Sequence, residues 1–282
     1  MEEYNSRILQ AKQAIKQADY IIIGAGSGLS AAAGLKYSGE KFERNYKKFI
    51  EKYHFEDLYS ASFYDFSSQE EKWAFFAKMI KLNRYNEKPL KLYQKLYEII
   101  KDKNYFVLST NVDGQFFNSG FDKDKVFEVQ GDYCYLQCEN ACHNKLYYNK
   151  ELVEKWIQNT VDCKIPSNLV MKCPVCGGNM DMNLRKDANF VQDSNWYDMS
   201  RKYDEFLGRT KDKNVVLLEI GVGFNTPGII RFPFEQMTNN SKKTTLIRIN
   251  KDYPSTMLEI KNKTILFNED TNEIIEDLKE KK

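Results

Sequence analysis

The chain predicts an α/β fold: a Rossmann-like parallel sheet domain with a smaller zinc-binding module and a helical insertion. A short apolar run, Tyr20-Ile-Ile-Ile23, passes directly into Gly24-Ala-Gly-Ser-Gly28 and then Leu29-Ser-Ala-Ala-Ala33. This is the strand, glycine turn and helix of a nucleotide-binding unit. All six cysteines fall between residues 131 and 184, among several turn formers. Residues 37–88 are dense in Phe, Tyr, Lys and Glu and lack a β-branched run, which reads as inserted helix.

Residues 4–18 form the first expected helix, with Ile8, Leu9, Ala11, Ala14 and Ile15 near one face. Tyr20–Ile23 follows as a strand buried on both faces, because parallel strands covered by helices read as unbroken apolar runs. Pro89 opens a helix over 89–103 that carries Leu90, Tyr93, Leu96, Tyr97 and Ile100 at helical spacing. Tyr105–Leu108 and Val126–Val129 are the next strands. Beyond the cysteines come a helix near 197–209, strands at Val215–Ile220, Leu246–Ile249 and Thr264–Phe267, and a terminal helix. The sheet domain is thus assembled from 1–36, 89–130 and 185–282, with the helical insertion at 37–88 and the zinc module at 131–184.

Charge is nearly balanced: 42 Lys and Arg oppose 40 Asp and Glu, so no global basic field recruits nucleic acid. No long uncharged apolar run predicts a membrane span. The N-terminal MEEYNSRILQ reads as neither signal nor transit peptide, so a cytoplasmic location with reduced thiols is expected. There, six cysteines point to metal more than to disulfides. His54 and His143 are the only histidines, which limits histidine-based catalysis.

The run Gly24-Ala25-Gly26-Ser27-Gly28 lets backbone approach a ligand without Cβ clashes, and the helix start behind it directs N–H groups at an anion such as a pyrophosphate. An ordinary dehydrogenase continues to a second strand ending in an acidic residue about 20 positions on, whereas this chain enters the aromatic insertion. No lysine follows the glycines, which argues against a P-loop. A bound dinucleotide without hydride transfer is the expectation.

Cys138 and Cys142, then Cys173 and Cys176, are two close pairs separated by 30 residues, as suits a closed tetrahedral zinc that holds structure. Cys134 and His143 stand near enough in sequence to replace a ligand, though Cys134 and Cys163 read first as small buried hydrophobes. Past the strand Tyr105–Leu108, Asn111 and Asp113 either orient a ribose or a water, or form an Asx-turn.

These pieces together resemble the sirtuin family over nearly the whole chain. Ala25-Gly26-Ser27-Gly28-Leu29-Ser30-Ala31-Ala32-Ala33-Gly34-Leu35 is similar to the family's T-G-A-G-I-S-x-x-x-G-I loop. Thr110-Asn111-Val112-Asp113-Gly114 resembles T-Q-N-I-D-G without its first Gln, and Val129-Gln130-Gly131 stands where sirtuins have L-H-G. Asn183-Leu184-Arg185-Lys186-Asp187 is similar to the stretch around L-R-P, and Gly221-Val222-Gly223 takes the place of G-T-S. Ile249-Asn250 resembles the late strand whose Asn contacts the adenosine ribose.

The resemblance implies NAD as co-substrate and a structural zinc on Cys138, Cys142, Cys173 and Cys176. It implies catalytic positions Asn111, Asp113, Gln130 and Arg185. The implied cofactor-binding positions are Ala25, Gly26, Gly28, Leu29, Ser30, Gly34, Tyr37, Asn111, Gly221, Val222, Gly223, Asn250 and Asp270. Three departures matter: Gln130 replaces the catalytic histidine, Leu35-Lys36-Tyr37-Ser38-Gly39 replaces I-P-D-F-R, and two hydroxyls of G-T-S are lost. With the aromatic insertion, they make the chain similar to the class M, macrodomain-linked bacterial sirtuins. That subclass implies protein ADP-ribosylation on a lipoylated H-like carrier protein, reversed by a macrodomain hydrolase.

Deacylation by sirtuins needs a general base to activate a ribose hydroxyl, and a glutamine has no useful basicity near neutral pH. Release of nicotinamide needs only positioning and charge stabilisation. Gln130 therefore predicts ADP-ribose transfer with little deacylation. An NAD glycohydrolase and a lapsed NAD or ADP-ribose sensor are the alternative readings.

Overall fold

The computed structural model describes residues 2–35 and 38–279, which fall into two compact units. Among the described residues, nine strands run in chain order: β1 (Tyr20–Ala25), β2 (Tyr105–Ser109), β3 (Val126–Glu128), β4 (Gly131–Cys138), β5 (Tyr147–Tyr148), β6 (Met180–Leu184), β7 (Val215–Ile220), β8 (Thr244–Ile249) and β9 (Thr264–Phe267).

The first unit comprises Met1–Gly34, Pro89–Gln130 and Ser194–Lys282. Its sheet is parallel throughout, in the order β3-β2-β1-β7-β8-β9, the doubly wound pattern the sequence predicts. Alternate side chains feed opposite faces. Ile21 and Ile23 pack with Val107, Leu218 and Ile247 beneath the helices Glu2–Gln17, Lys91–Ile100 and Thr271–Leu278. Ile22 packs with Phe106, Leu217 and Leu246 on the side of Ser194–Arg209 and Arg231–Asn240. Each face needs an apolar residue, which is why Tyr20–Ile23 shows no polar alternation.

The second unit comprises Leu35–Lys88 and Gly131–Asp193. It contains the helices Glu40–Tyr53, Leu58–Ala61, Gln69–Ile80 and Lys150–Asn159, with a small antiparallel sheet ordered β5-β4-β6. The insertion and the cysteine segment, read from sequence as separate modules, share one core here. Trp73 stacks on Trp156 with ring centroids 4.7 Å apart, and both rings are fully buried. Residues 185–193 also join this unit rather than the sheet domain. Gln137 explains this, accepting from Val191 N–H at 2.9 Å and donating to the Asn189 carbonyl at 2.7 Å. No helix of the described residues is long and apolar enough to cross a membrane.

Candidate active site and metal module

The order of the first sheet reverses between β1 and β7, and ligands of open α/β sheets bind beyond strand C-termini at such a reversal. Ala25 ends β1 and Gly26 caps the short helix Ser27–Ala32. Gly26 N–H donates to the Ile220 carbonyl at 3.0 Å, and Gly28 N–H to the Gly221 carbonyl at 3.0 Å. A Cβ on Gly26 would lie 2.5 Å from the Gly221 oxygen, and one on Gly28 would lie 2.7 Å from the Gly221 Cα. Gly221 itself has φ +64°, a conformation that favours glycine. The two loops therefore clasp backbone to backbone, and this clasp is the candidate dinucleotide cradle.

The clasp corrects one expectation. Of the N–H groups at this helix start, which the sequence directs at an anion, those of Gly28 and Leu29 are already bonded to the carbonyls of Gly221 and Gly26. With only six residues in the helix, the macrodipole adds little. Gly28→Ala is expected to weaken NAD binding about ten- to a hundredfold, the equivalent of about 1–3 kcal/mol of overpacking. Titration calorimetry measures it, with circular dichroism to confirm the fold.

Next to the cradle lies a buried polar chain with one consistent direction. Ser30 Oγ donates to Asp113 Oδ2 at 2.5 Å. A serine has one hydrogen, so the Tyr93 hydroxyl, 2.9 Å from Ser30 Oγ, must be the donor between them. Tyr93 OH in turn accepts from Asn111 Nδ2 at 3.2 Å, and the same amide nitrogen donates to the Gly26 carbonyl at 3.1 Å. Burial, then the Asp113 charge, push the Tyr93 phenol well above its ordinary pKa, so it keeps the proton it donates. Both Asn111 amide hydrogens are committed, which leaves Oδ1 as its acceptor for a ligand. Asp113 Oδ1 accepts from Gln115 N–H at 3.0 Å, and Gln115 Oε1 accepts from Leu90 N–H at 3.1 Å.

Sequence reasoning placed Ser30, Asn111 and Asp113 at the site but treated Tyr93 only as an apolar-face residue and overlooked Gln115. The available signal was a tyrosine among aliphatic residues on a fully buried helix face.

The other expected residues are placed as follows. Gln130 is half-buried just past β3, in the first unit. Val222 is buried beside Gly221 and Gly223, and its carbonyl accepts from Asn250 Nδ2 at 2.8 Å. Asn250 Oδ1 accepts from the N–H groups of Asp252 and Tyr253, so the amide shapes the loops around Gly221. Asp270 is engaged as an N-cap, accepting from Asn272 and Glu273 N–H groups. Gly34 closes the turn after Ala31. Arg185 belongs to the second unit, where its guanidinium lies 5.2 Å from the Phe190 ring centroid. Tyr37 lies outside the described residues. His54 is exposed and caps Glu40–Tyr53 in the left-handed conformation, with no part in the site.

The metal module is built on two turns of the second unit. Cys138 Sγ is 3.7 Å from Cys176 Sγ, and Cys142 Sγ is 3.6 Å from Cys173 Sγ. Zinc–sulfur bonds of about 2.3 Å in a tetrahedron require sulfurs about 3.8 Å apart, and both of these pairs match that spacing. Cys173 N–H donates to the Gly178 carbonyl at 2.8 Å, which closes the second knuckle. Hydrogen bonds from the Cys176 backbone, above all, draw the Cys173 thiol down to about 6, whereas burial pushes the neighbouring Cys142 thiol up. His143 Nδ1 lies 3.1 Å from Cys142 Sγ, and its ligand atom clusters with those of Cys138, Cys142 and Cys173 within 4.8 Å. Its Nε2 is 2.9 Å from Tyr147 OH. Cys134 is buried against Arg84, and Cys163 is buried elsewhere in the same unit.

No family model matches the chain. A Sir2 homologue in complex with NAD has TM-score 0.59 and 16% identity, over 96% of this chain and 91% of that one. A mutant Sir2 homologue in complex with ADP-ribose has TM-score 0.56 and 15% identity, over 95% and 94%. The fold is the α/β fold of the Sir2 homologues. A protein ADP-ribosyltransferase of Staphylococcus aureus is 34% identical over 276 residues, covering 98% of this chain and 88% of that protein. A probable bifunctional ADP-ribose hydrolase/ADP-ribosyltransferase of Fusarium oxysporum f. sp. cubense is 32% identical over 255 residues. That match covers 85% of this chain but 41% of the fungal protein. The chain belongs to the protein ADP-ribosyltransferase family of its staphylococcal relative, and it shares its fold with the Sir2 homologues.

Proposed function

We propose that the chain transfers ADP-ribose from NAD to a protein, with release of nicotinamide and little deacylation. The observation that carries this is Gln130, a neutral amide just past β3 where a deacylase would need a base. The glycine cradle holds the dinucleotide backbone. Asn111, fixed through Tyr93 and Gly26, offers Oδ1 to the ribose or to the positive charge that develops as nicotinamide departs. Arg185 holds an acidic group of the acceptor. The four thiolates hold a structural zinc that takes no part in the chemistry.

The acceptor in this proposal is a lipoylated H-like carrier protein, and a macrodomain hydrolase reverses the mark, as in the class M sirtuins. The sequence resemblance supports both. The fungal relative's name, which joins an ADP-ribose hydrolase to a transferase in one chain, supports the pairing with a hydrolase.

Intact-protein mass spectrometry of the chain with NAD and lipoylated or unlipoylated carrier tests the reading. The expected result is one added ADP-ribose on the lipoylated carrier alone. Free ADP-ribose with unmodified carrier would move the assignment to an NAD glycohydrolase. Efficient deacylation without any ADP-ribosylated protein would overturn it.

A further inference from the structure

The second unit contains a cavity of about 320 Å³ that the chemistry above does not use. Phe49, Leu82 and Ile157 give it apolar walls, and Lys48, Lys78 and Lys81 stand around it. Lys81 is paired with Glu154. Lys48 and Lys78 have no carboxylate partner among the described residues. The Lys78 ammonium is 5.7 Å from the Tyr46 ring centroid, a weak substitute for a counter-ion. Burial draws its pKa down, Cys163 beside it pushes the other way, and the Lys48 charge adds to the lowering. Asp162, the one carboxylate among the lining residues, is exposed.

A second, independent feature marks the same cavity. Val161 and Lys164 exchange two backbone hydrogen bonds of 2.9 Å across a two-residue turn. Its central residues, Asp162 and Cys163, have φ +46° and +62°. Positive φ at both positions usually selects Asn-Gly. Here the second is a cysteine, held against its backbone preference with its side chain buried in the cavity wall.

We propose that this cavity binds a small organic anion with an apolar body. The acid group meets Lys48 and Lys78, and the body packs on Phe49, Leu82 and Ile157 beside Cys163. A half-buried ammonium without a counter-ion is unfavourable, and such a ligand neutralises it while covering apolar wall. The cavity is made wholly from the second unit, whereas the dinucleotide cradle is made from the first.

Fluorescence titration of the full chain with 8-anilinonaphthalene-1-sulfonate tests this, against the uncharged N-phenyl-1-naphthylamine and in the presence of saturating NAD. The expected result is one saturable site, at least tenfold tighter for the sulfonate and insensitive to NAD. Lys78→Gln is expected to weaken it at least tenfold and Lys48→Gln at least threefold. Lys78→Arg and the exposed control Lys47→Gln keep it. Lys48 is on the surface, so its variant remains informative if Lys78→Gln fails to fold. Equal affinity for the two probes, displacement by NAD, or unchanged binding by Lys48→Gln would overturn the proposal.

Discussion

Asn111→Ala is expected to lower NAD turnover about a hundredfold or more while leaving the fold intact. Removing a preorganised dipole from a reacting centre typically costs about 10²–10³ in rate. Asn111 qualifies as preorganised because both hydrogens of its amide are held, one by the Gly26 carbonyl and one by Tyr93 OH. Its Oδ1 is thereby aimed without any reorganisation at the moment of reaction. Nicotinamide release, followed by chromatography, gives the rate, and calorimetry gives NAD affinity. The loss should fall mainly on kcat, because the cradle that binds NAD is backbone. Tyr93→Phe provides the companion test. It removes the link between Asn111 and Ser30 without touching a ligand, and about a tenfold fall in kcat is expected at little-changed NAD affinity. Equal loss of binding and turnover in both variants would show that the network merely shapes the cradle.

The second large effect concerns the metal. The wild-type chain is expected to hold one zinc per molecule, and Cys173→Ser to hold less than about a tenth of that. Structural zinc contributes roughly 10–16 kcal/mol in small domains, comparable to the whole stability of a folded protein at about 5–15 kcal/mol. Even a loss of about 3–5 kcal/mol lowers the melting temperature of the second unit by about 10 °C or more. Elemental analysis and thermal unfolding measure the two quantities. His143→Ala should retain zinc and Cys176→Ser should lose it if the ligands are four thiolates; the reverse would place His143 in the set. Acidification gives a check with a defined sign. Protons compete with zinc for the thiolates, so metal is retained near neutral pH and released as pH falls well into the acid range.

Much of the sheet domain was legible because local sequence reports local burial. Ile21, Ile22 and Ile23 read as one apolar run since the sheet is covered on both faces, and Val215–Ile220 emerges as a strand for the same reason, whereas the edge strand Thr264–Phe267 alternates in burial. The helix Arg231–Asn240 escaped notice because Pro233 and scattered polar residues weaken its periodicity. The strand β4 was missed because its burial does not alternate: the polar Asp132 and Gln137 point inward, held by hydrogen bonds that other segments supply.

The candidate site divides along the same line. The residues Gly26, Gly28, Asn111, Asp113 and Gln130, and the two cysteine pairs, are determined by the sequence itself, because each motif is short and its chemistry belongs to the residue types. Only the tertiary structure decided what those groups face. Gly28 N–H turned out to be bonded to Gly221, nearly 200 residues away in sequence. Tyr93 joined Asn111 to Ser30 and Asp113 across three elements, and Trp73 met Trp156 to make one core of two segments. Hydrogen-bond partners and shared cores depend on which backbone groups long-range packing brings within about 3 Å and 5 Å of one another, and spacing along the chain carries no record of that distance.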